Sequence, residues 1–163
     1  MRARESGLDR MVETLVKELE LTLEAVRESR WEWDDGSVES VTCTGVLEYI
    51  AGIERGRFMD ELYRILVPEG TATIRVLYWN TSMAYHDYRL QWPPLAEQSF
   101  LMFNKDWREK NDKQVDLKCD FDFTYGFTYD VDTAQRNVET QAFNIKHYTN
   151  SANALQVTLT KRP

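Results

Sequence analysis

Apolar residues recur at spacings of three and four over the first thirty positions. Leu8, Met11, Leu15, Leu19, Thr22 and Val26 form the stripe, with Val12, Val16 and Leu23 beside it. Glu13, Lys17, Glu18, Glu24, Arg27 and Glu28 fill the opposite side. This period predicts an amphipathic helix from about Leu8 to Ser29, followed by a turn at Asp34-Asp35-Gly36. Such a helix can pack on its own sheet or offer a seam to a second chain. Val38 to Thr44 then reads as a short buried strand, and Gly45 opens a brief helix that ends near Ala51-Gly52. A second helix spans about Glu54 to Leu66, with Phe58, Leu62, Ile65 and Leu66 on its apolar side. Pro68-Glu69-Gly70 ends it, since proline cannot continue a helix and glycine permits the turn. Thr71 to Tyr78 alternates and is rich in β-branched residues, which predicts a strand. Strand, helix and strand in this order predict parallel pairing through a crossover.

Beyond Trp79 the pattern is irregular and aromatic as far as Asn111, with Trp92-Pro93-Pro94 as a stiff extended piece. A loop of this length inside a compact domain is functional or disordered, and the aromatic load favours function. Val115 to Thr128 alternates again, with Cys119, Phe121 and Phe123 facing one way and Asp120 and Asp122 the other. Asp132 to Tyr148 fits helical spacing at its start, and its end is open between helix and strand. Leu155 to Leu159 is the closing strand.

A chain of 163 residues, 42% hydrophobic and 12% aromatic, fits one globular domain over 1–163, with 1–30 as an N-terminal helix. The net charge of −7 carries no basic stripe, which argues against nucleic acid and acidic membranes as partners. Cys43 and Cys119 stand far apart with no C-x-x-C spacing, so neither a disulfide framework nor a metal site is expected. Reduced core cysteines and the lack of an apolar leader or membrane span predict a cytoplasmic protein.

Several segments carry a family resemblance. Asp35-Gly36-Ser37-Val38-Glu39-Ser40-Val41 and Val46-Leu47-Glu48-Tyr49-Ile50 resemble the fourth-strand entry and the V-L-E-H-I helix of class I S-adenosylmethionine-dependent methyltransferases. Phe58 through Ile74 is similar to that family's helix, L-K-P-G-G turn and fifth strand. Trp92-Pro93-Pro94, Ser99-Phe100, Phe103-Asn104-Lys105 and Trp107-Arg108 resemble a loop of its phage and bacterial members. Arg136-Asn137, Lys146-His147-Tyr148 and Val157 to Lys161 fit the same subgroup. The resemblance covers about Trp31 to Arg162 and implies an α/β fold. That fold would be a truncated Rossmann-like methyltransferase sheet, parallel strands plus an antiparallel C-terminal strand, with an added N-terminal helix.

Departures from the family pattern bear on function. The seven glycines include no G-x-G, the loop through which a dinucleotide-type fold brings backbone against its cofactor. Tyr49 stands at the histidine of V-L-E-H-I, and Glu69 at the first glycine of P-G-G. The resemblance therefore implies a methyltransferase-like protein without independent methyl transfer, acting through an oligomer or a partner. The alternative is a subunit whose S-adenosylmethionine site is completed by another chain; Thr42, Cys43, Thr44 and Gly45 would then be the cofactor-binding residues, with Glu48 and Tyr49 near them. In the intact fold the fourth strand pairs with the first, so Val38–Thr44 is expected to be an exposed edge. The N-terminal helix, a second copy or another protein would cover it. Trp79, Tyr85, Tyr88, Trp92 and Trp107 are candidates for stacking on a flat ligand, or core. His86 is the candidate for proton transfer; Asp120 and Asp122 could hold a cation, act as an acid/base pair or form a solvated face, and His147 suits the terminal carbonyls of a helix.

Overall fold

The structure is a computed structural model that describes residues 15–163. Five strands form one sheet in the order β1-β2-β3-β5-β4. They are β1 (Val16–Leu21), β2 (Val38–Thr44), β3 (Leu66–Leu77), β4 (Phe121–Tyr129) and β5 (Ala152–Lys161). The first three are parallel, and β5 runs antiparallel between β3 and β4. The helices are α1 (Arg55–Ile65), α2 (Lys105–Lys110), α3 (Val131–Ala134) and α4 (Val138–His147). Single turns of 3-10 helix at Leu47–Tyr49 and Gly52–Glu54 replace the brief helix expected after Gly45.

The expected N-terminal helix is not formed where the chain is described. Val16–Leu21 is a strand, and the turns that follow it carry no helix. The part of that helix from Leu8 to Thr14 lies outside the described residues. Leu19 and Leu21 pair with Val41 and Cys43 of β2 and face the core, while Glu18 and Glu20 face away. The backbone groups of β2 need partners on both sides, and meeting that need overrides a helical period. It follows that Val38–Thr44 is no exposed edge: β1 covers one side and β3 the other.

Both parallel connections lie on the same face of the sheet. Trp31, from the β1–β2 connection, is 2% exposed and stacks edge-on against Phe58 of α1 at 5.1 Å. Arg64 of α1 donates to the carbonyls of Trp31 and Trp33 and pairs with Glu61 and Asp35. Phe100 and Phe103, from the long loop, join that core. On the other face most of the described residues are polar, while Leu77 and Ala154 at its carboxyl end are apolar and share a cavity with Met83. Thr42, Thr73, Thr158 and Thr124 form a rank across four strands, with Ser40, Thr71, Thr160 and Asp122 beside them. Strands buried on both faces read as continuous apolar runs, whereas these alternate, as one-sided strands do.

Other elements follow the sequence pattern, with boundary changes. β4 begins later than expected, because Asp60 of α1 holds the N–H groups of Lys118 and Cys119 through one carboxylate oxygen, both at 2.9 Å. Asp132–Tyr148 holds α3 and α4 with a break at Gln135–Asn137, and its open end is helical as α4, capped by Asn137 accepting from the Thr140 N–H. Lys161, at the end of β5, donates to the Tyr63 and Leu66 carbonyls at 2.7 Å, which are orphaned acceptors at the α1 terminus. No helix among the described residues is long and apolar enough to cross a membrane.

The turn between α1 and the paired part of β3 carries strain. Glu69 has φ 63°, a left-handed conformation that costs an L-residue with a Cβ about 1–2 kcal/mol. The next residue cannot supply the relief, since a Cβ on Gly70 would meet the Val67 carbonyl oxygen at 2.8 Å. Glu69→Gly should therefore stabilise the protein by about 1 kcal/mol, raising the thermal midpoint by about 3 °C. Glu69→Ala should give no such gain; calorimetric melting of the two variants checks this.

Candidate functional site

In open α/β sheets ligands bind beyond the carboxyl ends of the parallel strands. The carboxyl ends of β2 and β3 here border a cavity of about 570 Å³ lined by Thr44, Gly45, Glu48, Arg75, Leu77, Met83, Asn153 and Ala154. Gly45 leaves β2 with φ 68°, and its N–H donates to the Arg75 carbonyl, which fixes the strand end against β3. The left-handed conformation is what requires a glycine there. The chain then turns through Leu47–Tyr49 and delivers Glu48 into the wall of the cavity.

Glu48 is 8% exposed. One carboxylate oxygen accepts the Leu77 N–H at 3.3 Å, and the other has no partner. Burial raises its pKa above the ordinary carboxylate value, against the opposing pull of hydrogen bonds and of Arg55. Arg55 does not relieve the free oxygen, because its guanidinium is spent on four carbonyls: Leu47, Ile50, Pro93 and Gln91. Those bonds tie the long loop to the end of β2. Gln91 N–H also donates to the Glu48 carbonyl at 2.8 Å.

The structure separates the residues singled out in the sequence. Thr44 and Gly45 line the cavity. Thr42 lies on the open polar face, and Cys43 points into the core at 1% exposure. Burial, reinforced by Glu48, pushes the Cys43 thiol up to about 12, so it is no nucleophile at neutral pH. Tyr85, Tyr88 and Trp92 border a separate cleft of about 220 Å³, with Asp87, Leu90, Gln91 and Pro94. Trp79 touches that group through its carbonyl, which accepts the Tyr85 hydroxyl. Trp107 sits apart on α2. His86 is exposed, and its Nδ1 is held by the Met83 carbonyl. Tyr49 donates to Asp87, whose pKa is held low by Arg89, and Arg89 also lies over the Tyr49 ring.

Asp120 and Asp122 surround Arg162, and no cluster suited to a metal ion exists among the described residues. His147 stacks on Phe143 and lies at the end of α4, where the Asn144 carbonyl accepts from Tyr148 and Ser151 instead. Arg75, Met83 and Asn153 were not apparent as site residues in the sequence. A lone arginine in the β-branched run Thr71–Tyr78 was the one available signal.

Comparison with known proteins bears on the fold. A methyltransferase domain family model matches residues 5–74. Among solved structures, a S-adenosylmethionine-dependent methyltransferase from Archaeoglobus fulgidus shares 11% identity and a TM-score of 0.53, over 79% of this chain and 62% of that one. The fold is that of a class I methyltransferase. A S-adenosylmethionine-dependent methyltransferase from Thermotoga maritima matches at 10% identity and TM-score 0.49, over 82% and 61% of the two chains. A chain from the complex of the Haloferax volcanii Trm112 methyltransferase activator with a methyltransferase matches at 16% and 0.47, over 83% and 58%. The chain thus spans about three fifths of the length of these structures. No curated protein matches its sequence.

Against that methyltransferase fold, β1 occupies the place beside β2 that the resemblance gives to the first strand. The chain leaving its carboxyl end reads Thr22-Leu23-Glu24-Ala25-Val26, with a Cβ on every residue and with Leu23 and Val26 packed on the core. A backbone cradle cannot close on a nucleotide cofactor there, so these residues do not fit S-adenosylmethionine.

Two outcomes test the electrostatics of the site. Glu48 carries a raised pKa in the folded protein, so the wild type loses stability as pH rises from about 4.5, the ordinary value, through the folded one. Glu48→Gln should therefore be more stable than wild type at neutral pH, with the gain vanishing toward pH 4; denaturant melts across that range check it. Cys43 and Cys119 are both buried with thiols raised to about 12, so neither should react with a disulfide reagent at pH 8 until the protein is unfolded.

Proposed function

We propose that this chain is a methyltransferase-fold binding protein that does not transfer methyl groups by itself. The cavity at the ends of β2 and β3 is its ligand site. The observation that carries this reading is the pairing of two features: a cavity with an unsatisfied buried carboxylate, and a β1 exit whose side chains exclude a cofactor cradle. The polar open face supports a self-contained sheet. A chain supplying a second helical layer would need apolar residues where Thr42, Thr73 and Thr158 stand. Completion by another chain, with Thr44 and Gly45 then at the cofactor, requires approach along the outer edge of β1, where Lys17, Glu18 and Glu20 present charge. Charged edges of this kind oppose strand addition, including symmetric pairing of two copies.

Calorimetric titration of S-adenosylmethionine into the protein, with its mass in solution measured in parallel, is the test. The expected result is no heat up to millimolar ligand. Binding in the micromolar range would overturn the reading and restore methyl transfer, by one chain if the protein is a monomer and by a shared site if it is an oligomer.

A further inference from the structure

The cavity's polar groups are arranged for one kind of molecule. Arg75 projects from the polar face of the central strand β3, where its partners across the sheet are the uncharged Thr44 and Gln156. Among the described residues its guanidinium makes no hydrogen bond or ion pair. An arginine fork of five donors matches a carboxylate in two-pronged fashion. Glu48, at the same cavity, is more than nine-tenths buried and keeps one carboxylate oxygen without a donor. Leaving such an acceptor unpaired is costly; the oxygen has no accessible surface in the unliganded protein, so a ligand N–H relieves it once the Glu48 side chain turns toward the cavity. The cation nearest to it, Arg55, directs its four bonds to loop and turn carbonyls and none to that oxygen.

The register sets the spacing. Glu48 is anchored at the N–H of Leu77, two residues after Arg75 on the same strand, a step of about 7 Å. A flexible arginine side chain closes that distance around a small molecule. Leu77, Met83 and Ala154 add an apolar wall, and the cavity of about 570 Å³ is in the usual size range of small-molecule sites.

We propose that this cavity binds an aliphatic amino acid as its zwitterion. The carboxylate sits on Arg75, the ammonium on the unpaired oxygen of Glu48, and the side chain against Leu77, Met83 and Ala154. The assignment rests on the reading of this cavity as the ligand site, and it deepens that reading by naming the ligand class.

The test follows backbone amide NMR signals while L-leucine is titrated into the full chain. Isoamylamine, 4-methylpentanoate and 2-hydroxy-4-methylpentanoate serve as the ammonium-only, carboxylate-only and hydroxy-acid probes. L-leucine is expected to shift the amides of Thr44, Gly45, Leu77 and Asn153 saturably, with each of the other three at least tenfold weaker. Arg75→Gln should weaken leucine at least tenfold and leave isoamylamine unchanged. Glu48→Gln should weaken leucine by a similar factor and leave 4-methylpentanoate unchanged. Glu48→Gln preserves side-chain size, Arg75→Gln shortens an unbonded side chain, and spectral dispersion reports whether each variant is folded. Leucine binding that neither variant alters overturns the proposal, as does equal binding of the hydroxy acid, which removes the ammonium contact. No saturable shift with leucine also overturns it. In that case, shifts of the same amides by S-adenosylmethionine would leave the cavity standing as a ligand site for another class, whereas silence from both would remove the site reading too.

Discussion

Three parallel strands that step in one direction across a sheet, joined by crossovers of one hand, put every connection on the same face. A doubly wound sheet covers its second face only because its strand order reverses part-way. Here β1, β2 and β3 advance without reversal, so the Trp31 segment and α1 share one side. The amino-acid choice along β3 is a consequence of that constraint. Ala72, Ile74 and Val76 meet the core, while Thr71, Thr73 and Arg75 meet solvent. A core built on one face alone also has to be completed by loops, and Phe100, Phe103 and Leu95 of the long aromatic segment do that.

Both ends of the parallel strands are held by arginines that serve carbonyl groups, Arg55 at the carboxyl end and Arg64 at the amino end. Arg55 gathers the carbonyls of Leu47, Ile50, Pro93 and Gln91, and Arg64 those of Trp31 and Trp33. Irregular backbone cannot bond to itself as helices and strands do, so buried turns need such donors. This use of arginine also leaves the Glu48 carboxylate short of a partner, because the nearest guanidinium is already committed. The polar character of the cavity is thus set by how the loop above it is fastened.

Much of the fold was legible in the sequence. The apolar side of α1 and the alternation in β3 each carry a single period, and each was found in place, whereas Pro68-Glu69-Gly70 does not end the helix but is an irregularity inside β3, which starts at Leu66. Val16–Leu21 was misread because six residues with apolar groups at Val16, Leu19 and Leu21 fit a helical stripe and a strand equally well. The deciding term was the unpaired flank of β2, which no local pattern contains. The late start of β4 has a similar origin, since the carboxylate of Asp60 that holds Lys118 and Cys119 lies on a different element. Within the site, Thr44, Gly45 and Glu48 could be placed from the strand end they follow. Arg75 and Asn153 could not, because bringing them to that strand end takes the pairing of β3 with β5.

The position of β5 bears on how the molecule comes into being. It is the last strand in the chain, yet it lies between β3 and β4 and supplies Leu155, Val157 and Leu159 to the core. Its final lysine fastens the end of α1. A chain emerging from the ribosome therefore holds a sheet split into two parts until β5 is free. The sheet closes only once Ala152–Lys161 has been made.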